Sequence, residues 1–366
     1  MSLIRLLVPA NIRHSSGGNV YNARVAEGIR DLGVQVETVP VDGSWPDASA
    51  KDRRRFGSVL GAWEQEQEQE HEPGQRSAVA LVDGLVAVGA PDELEFATKA
   101  GRQTFVLVHM PVPETSGPEA LQKEARALRT ASGVICTSSS AAAVLKARGL
   151  PNARVALPGT VRAAPAKGST PPHLLAVAAL LPNKDQLLTV AALAGIQDLE
   201  WTASLVGSEQ ADPEYARLVR EAVSTSGLAG RVHLSGELTG AALEAEWDRA
   251  DLSLLVSREE AFGMVVIESL AHGVPAVVRR GTGAVEALGV ARLQDADGGT
   301  RLPGAALDLP RGGEADAGVL GANLRRWLED HATREEWKAC AMDARERLPG
   351  WDVTATTVLD VLAVTP

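Results

Sequence analysis

Glu260 and Glu268 stand eight positions apart on either side of Gly263, in a stretch that runs from Asp251 to Val278. After Gly263 the apolar residues Val266, Ile267, Leu270 and Ala271 recur at helical spacing, and Gly273 closes the segment. A helix N-terminus therefore falls between the two acids. Its free backbone N–H groups and positive dipole end form an anion site, with Phe262, Gly263 and Met264 supplying the amides. A diphosphate fits such a site. Glu268 lies about one turn beyond Met264, on the order of 6 Å along the axis, placed to accept sugar hydroxyls on one side of the diphosphate, and Glu260 is placed to do so on the other. Ribose, two phosphates and hexose have that layout. For any single glutamate a solvated surface position is the commoner reading.

Further candidates stand at other loop starts. Lys184, in Leu180-Leu-Pro-Asn-Lys-Asp-Gln186, is delivered to a helix entrance, where its charge would neutralise a departing diphosphate without a metal. The turns at Gly207, at Ser235-Gly-Glu-Leu238 and at Gly281–Glu286 let backbone approach a base or phosphate. Near the N-terminus, Gly17 and Gly18 open a helix after a polar loop, but the run lacks the G-x-G-x-x-G of dinucleotide binders. His109 ends an apolar run at a loop start, where it either orients a sugar hydroxyl and shares a proton or bonds a backbone carbonyl. His14, Tyr21 and Glu114 complete the acceptor-side candidates.

The elements that must position these groups alternate along the chain. Short apolar runs at 4–8, 34–39, 78–82, 104–108, 133–137 and 154–157 predict buried parallel strands with helices between. The Pro- and Gly-rich run 158–172 reads as a linker. Strands then resume at 173–177, 202–206, 231–235, 251–256 and 275–278. Helices close the chain at 314–329, 333–347 and 351–362. The class is α/β, with two doubly wound Rossmann-like parallel sheets whose ligands bind beyond the strands' carboxyl ends. The helix at 51–63 carries an apolar stripe of Phe56, Val59, Leu60 and Trp63 beside three arginines, a pattern that packs on a sheet or touches an anionic surface. The acidic run 64–72 is assigned no chemistry.

Charge and composition narrow the function. A net charge of -11 argues against nucleic acid as a partner. Aromatic residues make up 4% of the chain, so Ala, Val and Leu must fill the core. The two cysteines, Cys136 and Cys340, show no metal-ligand spacing and suit a reducing cytoplasm. The N-terminal apolar run is too short for a signal peptide and no run approaches a membrane span, so the expectation is a cytoplasmic protein with at most peripheral membrane association.

The order Leu205-Val-Gly, Arg231-Val-His-Leu-Ser-Gly236, Ala250-Asp-Leu, Ser257-Arg-Glu-Glu-Ala-Phe-Gly-Met-Val-Val-Ile-Glu268 and Gly273-Val-Pro resembles the donor domain of retaining GT-B glycosyltransferases. These are the group 1, family 4-like enzymes with the E-x7-E motif, which include phosphatidylinositol mannosyltransferases and sucrose synthase. The resemblance is strongest over 174–290. It implies that residues 1–160 form an acceptor-binding domain, 161–348 a nucleotide-sugar donor domain, and 349–366 a helix crossing back to the first, with the two domains facing a cleft. It further implies that Glu260 holds donor-sugar hydroxyls, Glu268 the ribose and Lys184 the diphosphate, that Leu238 contacts the base, and that Gly18 and the amides from Gly263 line the phosphates. One departure stands out: the family pairs its lysine with an arginine, and the matching position is Ala179. Either Arg258 or Arg13 replaces it, or diphosphate stabilisation is weaker.

The reading is a retaining, metal-independent hexosyltransferase using a UDP- or GDP-sugar and a small-molecule or lipid-linked acceptor, with no cofactor and possible homodimerisation. The alternatives are a sugar-nucleotide-binding regulatory protein without turnover and a sugar-nucleotide epimerase of the same fold. A nicotinamide dehydrogenase fails on the missing glycine fingerprint.

Overall fold

A computed structural model describes residues 3–12, 16–70, 78–294, 300–309 and 314–363. In chain order the elements are β1 (Leu3–Pro9), α1 (Gly17–Asp31), β2 (Gln35–Val41), α2 (Ala50–Glu70), β3 (Ala78–Asp83), α3 (Gly84–Gly89), α4 (Pro91–Lys99), β4 (Gln103–Val108), α5 (Gly117–Thr130), β5 (Gly133–Cys136), α6 (Ser139–Ala147) and β6 (Arg154–Val155). They continue with β7 (His173–Val177), α7 (Gln186–Ala194), β8 (Thr202–Val206), α8 (Pro213–Thr225), β9 (Val232–Gly236), α9 (Gly240–Arg249), β10 (Leu252–Leu255), α10 (Met264–Ala271), β11 (Ala276–Arg279) and α11 (Ala284–Leu288). The last are β12 (Leu293–Gln294), β13 (Thr300–Arg301), β14 (Gly304–Leu307), α12 (Glu314–Glu329), α13 (His331–Arg345) and α14 (Trp351–Leu362). The chain divides into two compact units, Met1–Gly159 with Pro349–Pro366, and Thr160–Leu348.

Unit 1 is built on a parallel sheet of order β2-β1-β3-β4-β5-β6. Its central strands are apolar because both faces are covered, and the Val79–Val82 run of β3 is at most 1% exposed. Edge strand β2 is largely uncovered instead, with the neighbouring Glu37 and Thr38 both exposed. The amphipathic helix α2 packs on this sheet, with Phe56 and Leu60 in the core and Arg55 paired to Asp42. The side chain of Trp63 and those of the acidic run 64–72 lie outside the described residues.

Helix α14 belongs to unit 1 and lies on α1. A Cβ at Gly28 would stand 3.0 Å from the Ala355 Cβ and 3.2 Å from the Trp351 carbonyl oxygen, so the two helices meet at small residues. Tyr21 and Trp351 contact edge to face at 5.6 Å, and the Thr354 hydroxyl donates to the Leu157 carbonyl at 2.7 Å. Gly159 and Gly350 also abut. A Cβ on Gly159 would fall 2.4 Å from the Gly350 carbonyl carbon, which excludes any side chain where the chain leaves and re-enters the unit.

Unit 2 has a parallel sheet of order β14-β11-β10-β7-β8-β9, with an antiparallel β12/β13 pair beside it. Its first strand, β7, lies inside the sheet: β8 and β9 follow on one side, β10, β11 and β14 on the other. The strand order therefore reverses between β7 and β10, and a crevice opens beyond their carboxyl ends at such a point. Strand β14 was not anticipated from the sequence, because Gly304-Ala-Ala-Leu is too small and short to signal burial. The expected linker 158–172 is in fact packed from about residue 163 onward. The Ala166 amide bonds the His272 carbonyl, the Lys167 and Gly168 amides bond the Asp248 carbonyl, and Asp251 accepts the Ser169 and His173 amides. Cys136 and Cys340 are buried and free, one in each unit. No helix among the described residues is long and apolar enough to cross a membrane.

His173, at the start of β7, is 1% exposed. Its Nδ1 pairs with the Thr202 hydroxyl at 2.7 Å, while Glu246 is 3.6 Å from Nε2, too far for a hydrogen bond. Burial, helped by the positive charge of Arg249, pushes the imidazole down to about 4. The unfolded chain binds this proton at about 6.5 and the folded chain does not, so the contribution to stability is complete above about pH 6.5 and is lost as pH falls towards 4. Denaturant unfolding between pH 7 and 4.5 should show this site removing up to about 1.4 kcal/mol per pH unit. His173→Gln should flatten that slope; a wild-type slope in the variant would refute the assignment.

Candidate functional site

In unit 2 the loops after β7 and β10 meet. The first makes a 3-10 turn over Pro182–Lys184 and reaches α7 through Asp185, a non-glycine residue at φ 56, ψ 39. Left-handed backbone is costly for a residue with a Cβ, and the side chain shows what holds it there. An aspartate before an apolar helix is expected to cap it, yet Asp185 makes no capping bond. Its buried carboxylate takes Arg258 on both oxygens, each at 3.1 Å, and Arg279 at 2.6 Å.

The two arginine pairs differ in strength. Arg279 is 4% exposed and its other nitrogens donate to the Val256 and Leu309 carbonyls. Burial lowers its guanidinium, against the opposing charges of Asp185 and Asp316. Breaking such a buried pair costs about 3–5 kcal/mol. Arg258 is 48% exposed, so water screens its contact with Asp185 more than it screens that of Arg279.

Lys184 points from the same turn to Glu260, Nζ to Oε1 at 2.5 Å, with both side chains mostly covered. The backbones are stitched as well. The Arg258 amide donates to the Asn183 carbonyl at 2.7 Å, and the Gly283 amide donates to the Glu260 carbonyl at 2.8 Å. Gly283 has no room for a side chain, since a Cβ would lie 1.9 Å from the Ala261 carbonyl oxygen. Gly263, at φ 92, precedes the first turn of α10. Along α10, Met264, Val265 and Glu268 are half-buried while Val266, Ile267, Ser269 and Leu270 are buried, so Glu268 stands on the helix's outer edge.

Several sequence candidates have a structural explanation. Phe262 is 3% exposed, so its side chain belongs to the packing and only its backbone remains for a ligand. Gly207 is required because a Cβ there would collide with the Ala178 carbonyl oxygen, and its amide bonds the Gly236 carbonyl. Leu238 is half-buried against the cluster of Leu175, Val206 and Trp247.

In unit 1 a second polar cluster forms at the carboxyl ends of β3 and β4. His109 Nε2 lies 3.0 Å from the Asn22 Oδ1 and 3.3 Å from the Asp83 Oδ2. The Asn22 amide nitrogen donates to the same Asp83 oxygen at 2.9 Å, and Asp83's other oxygen accepts the Leu85 amide, capping α3. Burial alone would raise Asp83; the bonds and charge of His109, with Asn22 and the Leu85 amide, hold it below the usual carboxylate range. Gly18 allows this approach: a Cβ there would stand 3.2 Å from the His109 ring. Gly17 is the exposed first residue of α1.

Thr137 donates to the His109 carbonyl and Ser138 caps α6, so both serve local structure. Tyr21 is corrected as an acceptor candidate: it is 1% exposed, its hydroxyl donates to the Ala156 carbonyl, and burial raises it far above its ordinary range. Glu114 is exposed in a 3-10 turn. Arg13 and His14 lie outside the described residues. Asn22 was missed, although it follows Gly18 by one helical turn and so shares its face. Among the described residues no group of three or more His, Cys, Asp or Glu could hold a metal ion.

Residues 171–298 match the sequence model of the family described as glycosyl transferases group 1. A curated relative, mannosylfructose-phosphate synthase of Agrobacterium fabrum, is 34% identical over 111 residues, which cover 29% of this chain and 24% of that enzyme. The aligned stretch thus spans about a quarter of the relative's length. Among solved structures, sucrose-phosphate synthase from Thermosynechococcus elongatus superposes with a TM-score of 0.75 at 19% identity over 98% of both chains. HepE of Anabaena, solved with UDP and glucose, gives 0.73 at 16% identity over 98% of this chain and 99% of that one. These likenesses show the fold, which is GT-B.

Gly283→Ala forces the Ala261 carbonyl, and with it the Glu260 loop, to move. Overpacking of this kind costs about 1–3 kcal/mol, to be read as a lower denaturation midpoint at unchanged m-value. A midpoint equal to wild type would show that the loop is not held at this contact.

Proposed function

We propose that this GT-B chain, whose residues 171–298 form a group 1 glycosyltransferase segment, transfers a hexosyl group from a nucleoside-diphosphate sugar to an acceptor hydroxyl, with retention at the anomeric carbon and without a metal. The observation that carries the reading is the Lys184–Glu260 pair, set beyond adjacent strands β7 and β10 where the strand order reverses. The anion site at α10 begins three residues after Glu260. The Anabaena protein's complex with UDP-glucose supports UDP-glucose as the first donor to try.

In the reaction so proposed, the bond between the anomeric carbon and the diphosphate oxygen breaks and the acceptor oxygen bonds that carbon on the same face. The acceptor's proton passes to the departing phosphate. Lys184 and the amides from Gly263 onward balance the charge growing on the diphosphate, Glu260 holds hexose hydroxyls and Glu268 the ribose. His109, held by Asp83 and Asn22 in unit 1, is assigned to a sugar hydroxyl. The acceptor is a small molecule or a lipid-linked hydroxyl compound.

Thermal unfolding with UDP, GDP and ADP is the first test. The cognate nucleotide at a hundred times its Kd adds about 2.7 kcal/mol of stability, and no shift with any of them would overturn the reading. Glu268→Ala should raise the nucleotide Kd several-fold at unchanged Tm. Lys184→Ala should lower kcat on the order of a hundredfold and change donor affinity much less, since its charge matters most as the bond breaks. Turnover should persist in excess chelator; a chelator-dead enzyme would refute the metal-free mechanism.

A further inference from the structure

Binding a diphosphate calls for positive charge beyond that of Lys184, because Lys184 is already matched by Glu260. Among the described residues, further cations at this end of the sheet are Arg279, Arg280 and Arg258. Arg279 is buried, with its nitrogens committed to two carbonyls and to Asp185. Arg280 is turned onto the Ala306 carbonyl and Asp308, beside edge strand β14.

Arg258 differs from both. Its backbone amide is fixed to the Asn183 carbonyl, which holds it one residue from Lys184 across the two loops. Its guanidinium is half-exposed, and its partner Asp185 is simultaneously bonded to Arg279. Asp185 thus keeps a buried counter-ion when Arg258 turns away, and the half-exposed pair is the weaker of the two.

We propose that Arg258 is the second cation of the phosphate site, held on Asp185 and transferred from that carboxylate to the diphosphate of the bound donor. This inference rests on the function proposed above. The transfer breaks no covalent bond. It exchanges one charge-assisted bidentate contact for another, since a guanidinium fork fits a phosphate as it fits a carboxylate. Asp185 acts as a positioning residue: its left-handed backbone turns Lys184 towards Glu260 while its carboxylate fixes where Arg258 starts.

The test is calorimetric titration of wild type, Arg258→Ala and Arg258→Lys with UDP, GDP and ADP and with the corresponding nucleosides. For the nucleotide that binds wild type, Arg258→Ala should weaken the diphosphate about tenfold while changing nucleoside affinity less than twofold. Arg258→Lys should recover part of the loss, and ligand-free Tm should stay at wild type because the residue is half-exposed. Diphosphate binding equal to wild type in Arg258→Ala would overturn the inference and leave the proposed function standing. An equal loss for nucleoside and diphosphate would reduce Arg258 to a structural residue. If no diphosphate binds wild type, the functional reading falls and this inference with it.

Discussion

The second unit's site depends on a buried carboxylate that cannot stay unpaired. Asp185 lies at the entrance of α7, at the end of the loop after the first strand of its sheet, almost wholly removed from water, in a backbone conformation that residues with a Cβ seldom adopt. A lone charge there would be driven out of the interior or neutralised. Arg279 prevents this from the end of β11, and in doing so ties the β7 loop to β11 across the intervening β10, just beyond which it also reaches the Val256 carbonyl. The direction of Lys184 follows from that tie, because Lys184 is the residue before the fixed turn. The buried pair need not add stability over an apolar substitute. What it does is join the β7 loop to β11.

Unit 1 solves a similar problem with different groups. Asp83 also ends a central strand and is also buried, but its charge is divided between capping α3 and holding Asn22 and His109. No arginine is involved, so the cluster presents a histidine whose orientation is set by hydrogen bonds on one ring nitrogen. One polar residue in each unit, Lys184 and His109, is thus aimed by an aspartate that does not itself face outward. Gly18 and Gly283 serve the same end by removing Cβ atoms that would hold these groups apart.

The inner strands were legible in the sequence because burial on both faces leaves a period-independent apolar run, as in β3, β4, β7, β8, β10 and β11, whereas the edge strands β2, β6 and β9 were placed without such a run. The misses have a common cause. Strand β14 is made of small residues, the stretch after 163 is held by backbone bonds that composition does not encode, and α3 starts directly from the strand-end glycine at 84. For the sites, residue type indicated Lys184, Glu260 and His109, each at a loop start. It could not indicate Asn22, Asp185 or Arg279, whose importance lies in partners 61, 73 and 94 positions away. Composition also could not show the backbone collision that requires a glycine at 207.

A glutamate beside the anion site proposed at α10 is at first sight an error, since it should repel a phosphate that the helix N-terminus attracts. At a separation of roughly 6 Å and an effective dielectric of about 20, two unit charges repel by about 3 kcal/mol, enough to cancel what one helix N-terminus contributes. The contact with Lys184 removes this objection. A carboxylate whose charge is matched at 2.5 Å presents little net field to a phosphate, yet it retains lone pairs that accept hydroxyl protons. With the donor bound as proposed, Glu260 serves as a hydroxyl acceptor beside the diphosphate with Lys184 next to it, in the turn that ends at Asp185. Two side chains that look like independent candidates in the sequence are therefore one ion pair, set by a turn whose buried aspartate lies between Lys184 and α7.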